Sequence, residues 1–335
     1  MKKILLYEKF RSERTKPKNL ISDDNQLFEH EYEKNFGKIY YSVVKEALII
    51  NEFLYNLKEL NLMSKYSYFS KPTFLRLIRD LYRNFFRSKS SQNLIEEGIW
   101  ITDNKSSVYF HFLCDALTRY TVLPEEVKSN IPVLLPIKYK NSWIIEIFEF
   151  LKINYIIFEN NKKIRVKKLI IPSYTAPSGN FHRETLINLR ESFIKSLDTR
   201  ESMPTQSNKV WIDMSKHRRP VVNINQIRPI LKKYNFIEVV FEDLSLTEKL
   251  DLLKNTNLLV GSHSSGLTNM LFMNKNSKII DIRDPRDNIK NAFFSMASEL
   301  EIDYYYMERD NNSNQVNIDP DKLDSLIASI VGSSN

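Results

Sequence analysis

Four short clusters carry the side chains that could do chemistry. The first is YFHFLCDALTRY, in which His111 and Asp115 stand four residues apart and Arg119 follows one turn later. On a helix this spacing puts them on one face. There a histidine beside a carboxylate can serve as general base and orienting partner for a hydroxyl; a capping histidine and a surface Asp–Arg pair would have the same spacing. The second cluster, SKHRRP, brings Lys216, His217, Arg218 and Arg219 together. Ammonium and guanidinium groups neutralise a diphosphate, arginine bidentately, although a solvated basic loop has the same composition. The third, FEDLS, offers Glu242 at a strand end, where a carboxylate could bind ribose hydroxyls, and Ser245 as an N-cap.

The fourth cluster, NLLVGSHSSGLTNMLFM, spans Asn257 to Met273. It reads as a buried strand over Leu258 to Val260, a break at Gly261, and a turn through Ser262, His263, Ser264 and Ser265. A helix follows, with Leu267, Met270, Leu271 and Met273 on one side. Free amides and the dipole at such a helix start suit an anion, and His263 can donate from the lip. An ordinary strand-to-helix turn with a serine cap would read the same way.

The elements that must position these clusters are legible as an alternation. Strand-like runs at Ile99–Thr102, Pro132–Leu135, Tyr155–Phe158 and Val166–Ile171 are predicted with helices at Tyr109–Tyr120, Ser142–Leu151 and Arg183–Leu197. A breaker-rich stretch from Asp198 to Asn208, with Pro204, then reads as a linker. Beyond it, strands are predicted at Val210–Asp213, Phe236–Phe241, Leu258–Val260, Lys278–Ile282 and Ile302–Tyr306. Helices are predicted at Asn225–Tyr234, Leu246–Asn255, Ile289–Leu300 and Pro320–Val331. The alternation implies an α/β chain with parallel sheets, in two Rossmann-like domains, 1–203 and 204–335, facing each other across a cleft. Ligands in such sheets bind at the C-terminal strand ends, which places the second, third and fourth clusters on one rim. The apolar runs of Lys38 to Leu62 fit strands or one helix.

Between Lys65 and Lys89 there are seven basic residues and one acidic. Pro72 to Ser90 predicts a helix with Phe74, Leu75, Leu77, Ile78, Leu81, Tyr82, Phe85 and Phe86 on one wide face and Arg76, Arg79, Arg83 and Arg87 on the other. Such a helix fits an anionic membrane surface, and equally a solvated basic face over its own domain. The net charge of +8 favours anionic partners, but no nucleic-acid module is present. One cysteine, Cys114, excludes an intramolecular disulfide and a cysteine zinc site. The N-terminus lacks a signal-peptide core and no apolar run approaches a spanning helix, so a cytoplasmic or peripheral protein is expected. There is no GxGxxG, GxxxxGK[ST] or HExxH, and no DxD triplet of the sort that would hold a metal–nucleotide, so metal-independent chemistry is expected.

Taken in order, IEEGIWITDN, YFHFLCDALTRY, IIPSYTAPSGNFHRETLINLR, WIDMSKHRRPVVN, FEDLS and VGSHSSGLTNMLFMNKNSKIIDI resemble glycosyltransferase family 61, which includes bacterial capsular-polysaccharide transferases. The resemblance covers roughly residues 94 to 306. It implies a GT-B fold and an inverting, metal-independent transfer from a nucleotide diphosphate sugar, of the uridine type, to a glycan or lipid-linked glycan. By resemblance, Arg218, Arg219 and Asn223 match the family's basic loop, and His263, Ser264, Ser265, Gly266, Leu267 and Asn269 its donor motif; Lys216, Glu242 and Ser245 join the donor side. His111 and Asp115 match the catalytic motif, with Arg119 and His182 on the acceptor side. Ser264-Ser265 replaces the usual Gly-Ala, and Asp213-Met214 stands where the family often has an arginine. A non-catalytic anion-binding protein at the membrane and a nucleotide-sugar epimerase are the competing readings.

Overall fold

A computed structural model of the chain describes residues 1–50, 53–58, 61–62, 89–140, 142–159, 162–197, 207–216, 219–285, 289, 291–310 and 315–332. The helix expected over 72–90, most of the expected linker, and His217 and Arg218 lie outside the described residues. Lys89 and Ser90, expected to close that helix, instead open a strand. Among the described residues, no helix is long and apolar enough to cross a membrane.

The chain forms two compact units. Met1–Phe10 and Asn35–Ser178 make the first; Arg11–Lys34 and Gly179–Asn335 make the second. The chain thus passes between units at Ser178/Gly179, ahead of the expected boundary at 203/204, and helix Arg183–Ser196 belongs to the second unit.

The first unit holds an eight-stranded sheet: β1 (Lys2–Tyr7), β4 (Ile39–Ile50), β5 (Phe53–Asn56), β6 (Asn61–Leu62), β7 (Lys89–Ile99), β8 (Val133–Pro136), β9 (Tyr155–Phe158) and β10 (Lys162–Pro172). The short strands β2 (Phe10–Glu13) and β3 (Glu33–Phe36) pair only with each other. The order is β6-β5-β4-β10-β7-β8-β9, with β1 on β4. From β10 to β9 the neighbours are parallel, but β1, β4, β5 and β10 pair antiparallel around β4. The sheet is therefore mixed rather than purely parallel, and the stretch from Lys38 is strand. β4 is apolar on both sides along most of its length, with Val44, Ala47, Ile49 and Ile50 fully buried. Burial on both faces erases the alternation that would have identified it.

β7 packs closely on β8. A Cβ built at Gly98 would lie 2.6 Å from Leu134 Cδ1 and 2.7 Å from its Cγ, and Leu134 is itself fully buried. Gly98→Ala is expected to destabilise the chain by about 1–3 kcal/mol through overpacking; an unchanged midpoint in chemical denaturation would show that the core yields there.

The second unit is built on five parallel strands, β11 (Asn208–Ile212), β12 (Phe236–Val239), β13 (Thr256–Ser262), β14 (Lys278–Arg283) and β15 (Asp303–Glu308), in the order β12-β11-β13-β14-β15. Helices Ile224–Lys233 and Pro320–Gly332 cover one face, packing Ile227, Leu231, Leu323 and Ile327 against Trp211, Val260 and Ile280. Strand order reverses between β11 and β13. In a doubly wound sheet, that switch point is where the strand ends open a crevice for ligand.

Residues 11–34 seal the β15 edge of this sheet. Lys18 N–H donates to Tyr304 O at 2.9 Å, while Asn19 accepts from Tyr306 N–H at 3.1 Å and donates to Tyr306 O at 2.7 Å. Phe28 inserts beside Phe294 and Tyr306, with ring centroids 5.1 and 5.0 Å away, and the Arg283 guanidinium lies 4.9 Å from its ring centre. An open edge would invite pairing with another chain.

Candidate active site

His111 and Asp115 meet as their spacing predicts: Nδ1 lies 2.7 Å from the Asp115 carboxylate. They sit on a helix that begins at Tyr109 and widens into a π turn over Phe112–Leu117, a distortion often found at functional sites. Its apolar side is fully buried through Phe112, Leu113 and Leu117, so the polar pair is held by a helix that cannot rotate. Ser178 Oγ donates to the same Asp115 oxygen at 2.8 Å. Cys114, between the pair, is buried, and burial pushes its thiol well above the ordinary range, which leaves it inert.

Asp115 opens into a cavity of about 530 Å³ at the C-terminal ends of β7 and β10, lined also by Lys38, Tyr40, Asp103, Lys105, Tyr174 and Ser178. All of these residues belong to the first unit. Such a volume is in the range of small-molecule sites. Asp103 is well satisfied: it accepts from Tyr174 OH at 2.5 Å, Ser106 Oγ at 2.9 Å and Lys105 N–H at 2.8 Å. Burial raises its pKa, but these bonds and Arg119 together bring it below the usual carboxylate value.

Arg119 stands apart from His111 and Asp115. It is buried, donates to Pro172 O at 3.0 and 2.8 Å and to Ile101 O at 2.5 Å, and lies 4.7 Å from the Tyr174 ring centre. It ties the ends of β7 and β10 together beneath the cavity. His182 belongs to the second unit, where it caps helix Arg183–Ser196 with Nδ1 2.9 Å from Thr185 Oγ1; burial lowers its pKa.

In the second unit β13 runs through Gly261 to Ser262, so glycine does not break it. A Cβ there would come within 2.7 Å of Ile212 Cδ1; the missing side chain lets β11 and β13 lie tightly at the switch point. The expected helix is a 3₁₀ helix, Ser265–Phe272, buried on every side from Leu267 onward. Its first internal bond runs from Leu267 N–H to Ser264 O, so the N–H groups of Ser265 and Gly266 precede it. Leu267 is core, and Asn269 shapes the turn by donating to Gly266 O at 2.9 Å.

His263 lies at the end of β13, one-fifth exposed. Its Nδ1 is 2.8 Å from Asp281 on β14, a fully buried carboxylate that also accepts from Tyr304 OH at 2.9 Å. Phe293 packs against the imidazole with centroids 4.8 Å apart. The ring is thus fixed on two sides, with Nε2 as its remaining polar atom. Asp281 was missed by sequence reasoning, although an aspartate inside KIIDIR was a signal, since a buried carboxylate needs partners.

The other expected donor residues are placed less directly. Lys216 Nζ pairs with Asp243 at 2.6 Å, exposed on both sides. Arg219 is exposed. Asn223 clamps Ile318, donating to its O at 2.7 Å and accepting from its N–H at 3.1 Å. Glu242 is on a short 3₁₀ turn past the end of β12, and Ser245 forms a capping box with Glu248. Among the described residues, no three His, Cys, Asp or Glu side chains form a metal-binding group.

A family model described as Glycosyltransferase 61 matches residues 109–280. That span opens two residues before His111 and closes one before Asp281. No curated protein matches the chain.

Proposed function

The chain belongs to glycosyltransferase family 61, and from that premise we propose that it moves a sugar, with inversion and without a metal, from a nucleotide diphosphate sugar to a hydroxyl of a cell-surface glycan. The observation that carries this reading is Asp115, a carboxylate held by His111 and Ser178 at the wall of a cavity. In the proposed step Asp115 takes the proton of the acceptor hydroxyl as its oxygen attacks the anomeric carbon. The bond from that carbon to the diphosphate oxygen breaks, and the electron pair leaves with the diphosphate.

Charge developing on the leaving group calls for preorganised donors. His263 and the Ser265 and Gly266 amides follow β13, and the basic residues Lys216 and Arg219 follow β11; these are the residues we assign to that task. The Lys216–Asp243 pair is exposed on both sides, so it holds the lysine only weakly and leaves it able to turn to a phosphate.

A thermal-shift series over nucleoside diphosphates checks the donor half. Uridine diphosphate at a hundredfold excess over its Kd stabilises a native state by about 2.7 kcal/mol, so a clear rise in Tm is expected. No rise with any nucleoside diphosphate would refute the donor site. Turnover that stops on chelation and returns with a divalent cation would refute metal independence.

A further inference from the structure

The cavity beside Asp115 has a charge pattern that its proposed catalytic role does not explain. Both of its carboxylates are already matched. Asp103 is held by Tyr174, Ser106 and the Lys105 amide, with the Arg119 guanidinium close enough to lower its pKa. Asp115 is held by His111 and Ser178. The lysines are matched less well. Lys105 is exposed at the wall, and its backbone, not its ammonium, bonds Asp103 and Val108. Lys38, also on the wall, has one partner, Glu8, at 2.7 Å, and both side chains are about half exposed or more. A third cation, Lys3, sits 4.6 Å over the ring of Tyr40, another wall residue. The rim is thus cationic, while the floor carries its proton acceptor in a neutralised setting.

We propose that this cavity selects an acceptor sugar bearing an anionic group, a carboxylate or a phosphate, which Lys105 and Lys38 engage while a hydroxyl of the same sugar reaches Asp115. The proposal rests on the acceptor reading of the Asp115 cavity. Lysine suits either anion because its ammonium is a compact point charge without the planar fork of arginine. The two lysines come from opposite sides of the sheet's C-terminal rim, Lys38 before β4 and Lys105 after β7. They therefore constrain position as well as charge.

The test uses the full chain and three matched probes: 4-nitrophenyl β-glucoside, 4-nitrophenyl β-glucuronide and the 6-phosphate of the glucoside, each titrated by calorimetry without donor. The two charged probes are expected to bind about 5- to 10-fold tighter than the neutral one, as two partly exposed charge contacts allow. The stronger of the two identifies carboxylate or phosphate as the natural group. Lys105→Ala should cut the preference several-fold, and Lys232→Ala, an exposed lysine on a second-unit helix, should leave it intact. Equal affinity for the three probes, no binding of any, or a preference that survives Lys105→Ala or falls equally with Lys232→Ala would overturn the proposal. Transfer to the glucoside with no charge preference would overturn anion selection and leave the acceptor site standing. A Lys105-dependent preference that persists while Asp115→Asn leaves turnover intact would do the reverse.

Discussion

Asp115→Asn is expected to lower turnover by about 10²–10⁴-fold, the usual contribution of a positioned general base, while leaving nucleoside diphosphate affinity unchanged. The substitution is nearly isosteric. The asparagine carbonyl oxygen can still accept from Ser178 or His111, which now share the carboxylate at 2.8 and 2.7 Å. What disappears is the basic oxygen that accepts the hydroxyl proton. Because the side chain is buried in a helix packed through Phe112, Leu113 and Leu117, melting of the variant must be measured alongside its rate. A variant that melts like the parent and turns over within threefold of it would remove Asp115 from the mechanism. His111→Ala should cost less, since it leaves the carboxylate and its bond to Ser178 in place.

The second large effect is expected on donor affinity. His263→Ala removes a donor from the crevice, and a hydrogen bond to a charged group is worth about 1.5–3 kcal/mol, so uridine diphosphate should bind about 10- to 100-fold more weakly by calorimetry. Asp281→Asn makes a sharper test, because in the proposed site Asp281 would act on the ligand only through His263. It keeps the shape under the imidazole but withdraws the negative charge facing Nδ1, so it should give part of the same loss. The double variant should bind no more weakly than His263→Ala alone, since the two act as one unit. Additive losses would show that Asp281 acts on the ligand by some other route. Asp281→Ala is the variant to avoid: it leaves Tyr304 and His263 without their buried acceptor, and breaking such a set costs several kcal/mol of stability.

Sequence periodicity gave a good account of the second unit because its strands and helices alternate in short, well-punctuated runs, and the predicted strands at Lys278 and Ile302 lie within a residue or two of β14 and β15. It failed where the determining contact is distant. Arg119 follows Asp115 at helical spacing, yet its guanidinium goes to Ile101 and Pro172, 18 and 53 residues away. Gly261 looked like a breaker because its reason for being glycine, the Ile212 side chain on the neighbouring strand, is invisible locally. Ser178 was likewise out of reach, and KIIDIR signalled Asp281 only as a buried carboxylate, since the partner of each lies on another element. The chemistry-bearing pairs were legible when both members lay on one helix turn, as His111 and Asp115 do.

The strap formed by residues 11–34 has a consequence for how this protein is made. It leaves the ribosome before any strand of the sheet it will cover, whereas β15, whose edge it closes through Lys18 and Asn19, is the last strand of that sheet to emerge. Domains usually complete themselves in order during synthesis; here the second unit cannot be finished until β15 has been translated. In the interval the strap waits unpaired, and β15 then arrives with its outer edge bare. Chaperone dependence should therefore concentrate around the emergence of β15. A recombinant fragment cut to residues 109–280 would lack the strap, β15 and half of β14, and the sheet edge left bare at β13 is expected to drive it into aggregates.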